Sequence, residues 1–277
     1  RAIGLSLFHS VASFNNSGFD VLGNGTSLIP YQKDVLLNLV TCALVIAGGI
    51  GFPVIFELPQ KHFSWKRLSM HTRVVLSTTF ALLLFGTLLL KLTENISWLG
   101  AFFYSVSART AGFSTYNLSD FSTAGLLVVS GLMFIGASPA STGGGIKTTT
   151  FFVLLSGIYS AATNHSERAF HSAIPKDAFR KASVISMLAV FLVMTASYLM
   201  LIFDPQLSLR DVLFEMISAF STSGLSTGIT SQLSAQSRIL SIIMMYIGRL
   251  GPLTVASLWY FTIGERVRYP EGTIAIG

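Results

Sequence analysis

Ile135-Gly-Ala-Ser-Pro-Ala-Ser-Thr-Gly-Gly-Gly-Ile-Lys-Thr-Thr-Thr150 interrupts an otherwise apolar run with a proline, three consecutive glycines, hydroxyl residues and one lysine. The run around it, Ala124 to Ala162, is about 39 residues long. As one helix it would extend roughly 58 Å at ~1.5 Å per residue. The hydrocarbon core of a bilayer is only about 30 Å thick. The run must therefore break, and this stretch is where it breaks. Broken backbone at membrane depth survives only inside protein or beside a water-filled cavity, so the expectation is a loop within a pore.

Composition makes a membrane the natural solvent. Of 277 residues, 51% are hydrophobic and 11% charged, and the mean hydropathy is +0.65. Soluble domains carry about 25% charged residues. The 24 glycines suit close helix approach in a bilayer. The net charge of +6 does not call for nucleic acid, because the basic residues gather in a few loops and topology accounts for them. Cys42, the single cysteine, lies in an apolar run and reads as a small core residue without a disulfide. The chain opens on Arg1-Ala-Ile-Gly-Leu5, with no initiator methionine and no signal peptide evident.

Five apolar segments are long enough to span: Val35–Phe56, Val74–Leu90, the broken run Ala124–Ala162, Ala182–Phe203 and Ile239–Ile263. None alternates like a barrel strand, so the expected fold is all-α. One set of connections is basic, with Lys61, Lys66, Arg67 and Arg73 in one and Arg168, Lys176, Arg180 and Lys181 in another. The tail adds Arg266 and Arg268. Positive charge marks the cytoplasmic side, which puts these loops and the C-terminus there. A polybasic lipid-binding role is the alternative, but the charges are too dispersed to require it. The other connections, Glu94-Asn-Ile-Ser97 and Asp204-Pro-Gln-Leu-Ser208, are short and external.

Three segments too short to span resemble one another. They are Phe8-His-Ser-Val-Ala-Ser-Phe-Asn-Asn-Ser-Gly-Phe19, Phe102-Phe-Tyr-Ser-Val-Ser-Ala-Arg-Thr-Ala-Gly-Phe113 and Phe214-Glu-Met-Ile-Ser-Ala-Phe-Ser-Thr-Ser-Gly-Leu225. Each has Phe ten residues before the glycine and a small residue five before it: Ser13, Ser107 or Ala219. The glycines Gly18, Gly112 and Gly224 are 94 and 112 residues apart, a long internal repeat of span, half-helix, turn and span. The first copy lacks a leading span, so further sequence is expected upstream of Arg1, including a fourth copy.

A half-helix entering from outside and ending in a small-polar-Gly turn resembles the pore loop of a cation channel. A dehydrated monovalent cation needs oxygens in place of its water, and rings of backbone carbonyls supply them. The C-terminal end of a helix dipole is negative and favours the ion. The carbonyls would come from Asn16-Ser17-Gly18, Thr110-Ala111-Gly112 and Thr222-Ser223-Gly224. The alternative is three packing turns with no ion. One copy would favour that, and three at equivalent places favour the ion.

Asn15-Asn-Ser-Gly-Phe19, Ala108-Arg-Thr-Ala-Gly-Phe113 and above all Ser138-Pro-Ala-Ser-Thr-Gly-Gly-Gly-Ile-Lys-Thr-Thr-Thr150 resemble the Trk/Ktr superfamily of bacterial potassium uptake proteins, and within it the Ktr-type membrane subunits. The likeness covers essentially the whole chain. It implies an all-α, multi-pass plasma-membrane protein of span–pore half-helix–span units around one quasi-fourfold K+ pathway. It also implies a homodimer, often with Na+-dependent uptake, on a KtrA-type cytosolic nucleotide-binding ring. The nucleotide would sit on that partner, with no covalent cofactor on this chain and K+ held only at filter carbonyls. On this reading residues 1–60 hold the pore loop and inner span of a second unit, 61–165 the third unit and 166–277 the fourth unit and tail.

The resemblance makes the opening stretch an obstructing loop below the filter, roughly Gly136 to Thr149. Its expected members are Gly136, Ser138, Pro139, Ser141, Thr142, Gly143, Gly144, Gly145 and Lys147. The three glycines allow a mobile backbone, and the hydroxyls suit a wet cavity. Lys147 brings positive charge near a cation path, or else snorkels or pairs with a carboxylate. A phosphate loop would need Gly directly before Lys, and Ile146 intervenes. The resemblance puts Arg249 beside the loop as a barrier to K+, and a structural ion pair is its alternative. An arginine inside a span costs at least ~2.5 kcal/mol. Arg109 reads as a scaffold behind the filter, hydrogen-bonding loop carbonyls, since pointing into the path would repel K+. Glu215 and Asp20 could attract cations at the mouth, but hydrogen-bonded or solvated carboxylates fit better. His9 reads as packing, and His62, His71, His165 and His171 as solvated, with no metal spacing among them.

Two other classes compete with transport. An intramembrane hydrolase would need a serine in a nucleophile context facing a histidine, and no such pair stands out. A structural membrane protein would not need three small-polar-Gly turns.

Overall fold

A computed structural model describes residues 2–20, 22–23, 25–165, 168–170, 172–175, 177–252 and 254. Among them are ten α-helices: α1 (Ala2–Phe14), α2 (Val35–Gly49), α3 (Phe52–Gln60), α4 (Met70–Thr93), α5 (Trp98–Ser107), α6 (Thr123–Phe134), α7 (Thr148–Thr163), α8 (Ala178–Phe203), α9 (Leu209–Ser221) and α10 (Ala235–Leu250). A two-stranded antiparallel ribbon, β1 (Arg168–Ala169) with β2 (Ser172–Ala173), sits in the second basic connection. The fold is helical apart from that ribbon, which the all-α expectation did not include.

The helices α4, of 24 residues, and α8, of 26, are long and apolar enough to cross a membrane alone. They keep large apolar side chains outward, such as Phe80 at 69% exposed, Met187 at 74% and Phe191 at 67%. In water such faces would be unfavourable; against lipid tails they are at home. The short helices lie inside. Half-helix α5 packs between α4 and α2, and α9 packs against α6, α8 and α10. Three buried clusters surround them, built around Cys42, Phe103 and Phe113, around Leu90, Tyr104 and Met133, and around Met200, Met216 and Phe220.

Two expected spans differ from the structure. Val35–Phe56 is not one straight helix: α2 and α3 meet at 97° across Gly51. Gly51 is at φ 90° and ψ 146°, a conformation open to glycine, and Pro53 follows at the start of α3. In the last, α10 ends at Leu250, where Gly251 takes nearly the same angles, φ 91° and ψ 136°. The rest of Ile239–Ile263 beyond Thr254, and the tail with Arg266 and Arg268, lie outside the described residues, as do Lys176 and His171.

Carboxylates fasten helix ends to one another. Glu94, at the end of α4, accepts from the Ser122 amide at 3.0 Å and its hydroxyl at 2.6 Å. Ser122 is the N-cap of α6. Asp204, at the end of α8, accepts from the amide of Ser234 at 3.1 Å and its hydroxyl at 2.9 Å, and Ser234 is the N-cap of α10. Each outer helix thus grips the first turn of its inner helix, where a negative charge also suits the helix dipole. Hydrogen bonds from the Ser237 and Ser234 side chains and the Ser234 amide, opposed by desolvation, hold the Asp204 carboxyl below the usual carboxylate range. A similar clamp joins α3 to α4, Glu57 accepting from the Ser69 amide at 2.6 Å and hydroxyl at 2.7 Å, and from Thr72.

Candidate functional site

Each half-helix ends in a turn of the same shape. Two residues before the glycine, Asn16, Thr110 and Thr222 have φ of 51°, 75° and 55°. Gly18, Gly112 and Gly224 have φ of 65°, 80° and 83°. The residues between them, Ser17, Ala111 and Ser223, are not in that region. Alternating the sign of φ in this way lets successive carbonyls face a common side.

The turns meet. A Cβ placed on Gly18 would lie 2.6 Å from the Ala111 oxygen and 3.0 Å from the Gly112 Cα. One on Gly112 would lie 2.2 Å from the Ser223 oxygen and 3.4 Å from the Gly18 Cα. Residues 94 and 112 apart in sequence therefore stand backbone to backbone, with no room for side chains between them. Thr110, Ala111 and Ser223 are buried. The Ser223 hydroxyl donates to the Ala108 carbonyl at 3.4 Å, tying the third turn to the second.

Directly against these turns lies the loop between α6 and α7. Its limbs close where the Ile146 amide donates to the Phe134 carbonyl at 3.2 Å and that of Thr148 to Ala137 at 3.4 Å. A Cβ on Gly143 would collide with Thr110 Oγ1, and one on Gly144 would lie 2.6 Å from Thr222 Oγ1. The glycines expected to provide mobility are thus also the residues that allow close approach. The bend between α2 and α3 supplies the loop's anchors. Amides of Ser138 and Thr142 donate to the carbonyls of Gly49 and Gly48 at 3.0 and 3.3 Å, and Phe52 donates to Ala140 at 3.0 Å. A straight helix would have kept those groups for itself. Pro139 lies beside this anchor, its oxygen 2.4 Å from where a Gly51 Cβ would be. Within the loop, the Ser141 hydroxyl donates to Ser138 O, and Thr148 donates to the buried Ser138 hydroxyl at 3.0 Å.

Three cations hold loop carbonyls. Lys147 donates to Gly143 O at 2.7 Å, Arg249 reaches from α10 to Thr142 O, and Arg109 donates to Gly136 O at 3.3 Å. Among the described residues the recorded ion pair is Arg210–Asp211, so no carboxylate bridges these three. Among the described residues, then, Arg249 and Lys147 are held by loop carbonyls. The carbonyl that Arg109 bonds belongs to the loop between α6 and α7 and not to its own turn.

Other expected residues have simpler surroundings. Glu215, 8% exposed, accepts from Ser226 at 2.9 Å and Thr230 at 2.5 Å. Asp20 caps its local turn through the amides of Leu22 and Gly23. His9 hydrogen-bonds with Thr41 at 2.8 Å and packs on Phe113. Sequence reading named Gly136 as a loop residue but missed the spacing it shares with two others, fourteen residues after an inner helix's N-cap: Gly48 after Asp34, Gly136 after Ser122 and Gly248 after Ser234. A Cβ on Gly48 would strike Phe14 O, and one on Gly248 would strike Phe220 O, so both helices press on the end of a half-helix. At Gly136 the loop's own Gly144 carbonyl fills that place. The common spacing was available in the sequence.

These features define a multi-pass helical membrane protein whose short helices converge on glycine turns above an internal loop. Comparison with known proteins gives the family. Residues 2–93 and 67–262 match the TrkH model, described as a cation transport protein. The chain is 36% identical over 292 residues to the Ktr system potassium uptake protein B of Vibrio alginolyticus, covering 98% of this chain and 62% of that protein. It is 36% identical over 289 residues to the Ktr system potassium uptake protein D of Bacillus subtilis, covering 98% and 63%. It is 34% identical over 295 residues to the potassium/sodium uptake protein NtpJ of Enterococcus hirae, covering 100% and 65%. The crystal structure of the potassium transporter TrkH from Vibrio parahaemolyticus superposes with a TM-score of 0.74 at 17% identity, over 91% of this chain and 57% of that one. The chain belongs to the TrkH family of cation transport proteins, a family of transporters and not of enzymes. It spans 62–65% of the length of these curated relatives.

Proposed function

We propose that the chain belongs to a potassium uptake protein and lines most of its pore. The observation that carries this is the set of three matching turns, at φ 51° and 65°, 75° and 80°, and 55° and 83°, with the second in backbone contact with both the first and the third. Carbonyls gathered from several chain segments suit a monovalent cation stripped of water. The relatives named for potassium uptake, and in one case for potassium/sodium uptake, favour K+ as substrate; stimulation by Na+ is part of the same proposal. Residues 1–60, 61–165 and 166–277 are then three units of a quasi-fourfold pore, in the plasma membrane with basic loops and C-terminus cytoplasmic.

The filter is Asn16-Ser17-Gly18, Thr110-Ala111-Gly112 and Thr222-Ser223-Gly224. The loop from Gly136 to Lys147 is its gate, lying against the filter's threonines. Arg249 and Lys147 add positive charge to the obstruction and hold its carbonyls away from the path. The partners in this proposal are a second copy of the protein and a cytosolic nucleotide-binding ring; the relatives' names support only membership of a Ktr system. The test is growth of a K+-uptake-deficient bacterium at low K+ carrying the whole protein with its cytosolic partner. Restored growth is expected, and failure despite expression would reject the function.

A further inference from the structure

The second turn differs from the other two behind the filter. Three residues before its glycine stands Arg109, where the other turns have Asn15 and Ser221. Asn15 and Ser221 bond carbonyls of their own half-helices, Val11 and Ser218. Arg109 alone of the three leaves its turn and donates to Gly136 O at 3.3 Å, at the foot of the loop. It is 7% exposed, and its Nε has no acceptor. A cavity of about 20 Å³ beside it is lined chiefly by apolar groups, among them Val45, Leu83 and Ala137. The guanidinium is therefore enclosed, with the loop carbonyl as its described protein partner.

We propose that Arg109 is a positioning residue that couples ion occupancy of the second turn to closure of the loop. The proposal rests on the filter reading above. The next residue, Thr110, has φ 75° and packs its Oγ1 on Gly143, so consecutive residues touch the loop at both ends. If the loop swings away, Arg109 keeps its burial and loses its acceptor, which is strongly unfavourable for a charge. A K+ ion at the turn raises the electrostatic energy of the nearby guanidinium, and the Gly136 carbonyl of the shut loop offsets that cost. Occupancy of the turn therefore favours the shut loop.

Hydrogen exchange of residues 136–147, on the whole protein in nanodiscs with K+ or with choline, tests this. Calorimetry on the same samples measures K+ binding. K+ should slow exchange in the loop of the wild type by about threefold or more, within the range seen for coupled neighbours. Arg109→Gln should bind K+ and lose that protection. Arg109→Lys, which keeps the charge without the planar fork, should restore part of it. Arg109→Met, which keeps the length without the charge, serves as the decisive variant if Gln does not fold, and protection equal to wild type in it would overturn the coupling. So would K+ binding without loop protection in the wild type, or full protection in Arg109→Gln. Absence of K+ binding to the wild type would instead reject the filter assignment beneath it.

Discussion

Gly112 and Gly224 have similar backbone angles but different surroundings, and that separates two effects of one substitution. Both have positive φ, so an alanine at either is strained by about 1–2 kcal/mol. At Gly112 the new Cβ would also lie 2.2 Å from Ser223 O, whereas at Gly224 the nearest atom is Gly112 Cα at 3.9 Å. Gly112→Ala must push two turns apart, and Gly224→Ala need not. Potassium uptake kinetics should show a large loss of K+ selectivity over Na+ in Gly112→Ala and a smaller one in Gly224→Ala. Equal, unchanged selectivity in both would reject the filter assignment. The sequence made the turn glycines visible by their repeated context. It could not rank them, because the ranking depends on which backbone from a distant segment stands opposite.

At the scale of elements, the fastenings between helices carry the argument. Asp204 is held below the usual carboxylate range, so it is ionised in the folded protein at pH values where a free carboxyl, at about 3.9, begins to protonate. Its stabilising contribution is complete above that value. It declines as pH falls below it and is gone once pH passes under the folded pKa. Asp204→Asn should therefore lower thermal stability at neutral pH, and the gap to wild type should close as pH falls. A gap that stays constant with pH would show that Asp204 acts through shape and not charge. Glu94→Gln should loosen the start of α6 by about 1 kcal/mol, read as faster hydrogen exchange near Ser122; unchanged exchange would contradict the clamp.

The half-helices and the broken run were legible because length alone excludes a span. The break of α2 was signalled too, by Gly48-Gly-Ile-Gly-Phe-Pro53, yet an apolar run of span length masked it. The clamps were not legible. Glu94 and Ser122 are 28 residues apart, and nothing local in a single sequence pairs a carboxylate with a distant N-cap.

For the whole molecule, the loop joins what the sequence separates. It hangs from the α2–α3 bend, touches two turns and is held by cations from the turn after α5, from the N-cap of α7 and from α10. Arg249→Gln should weaken the hold on Thr142 and remove positive charge from the path, raising flux severalfold if closure is favoured by ~1–3 kcal/mol at such a hydrogen bond. Flux equal to or below wild type in a folded Arg249→Gln protein would count against its barrier role. The central claim, a potassium pore closed by Gly136–Lys147, is tested most directly by tracer flux into liposomes holding the whole protein, with and without residues Ser141–Gly145. The account predicts K+-selective flux that increases on deletion. Flux that does not distinguish K+ from Na+, or that stays the same or falls in a correctly folded deletion, would contradict it.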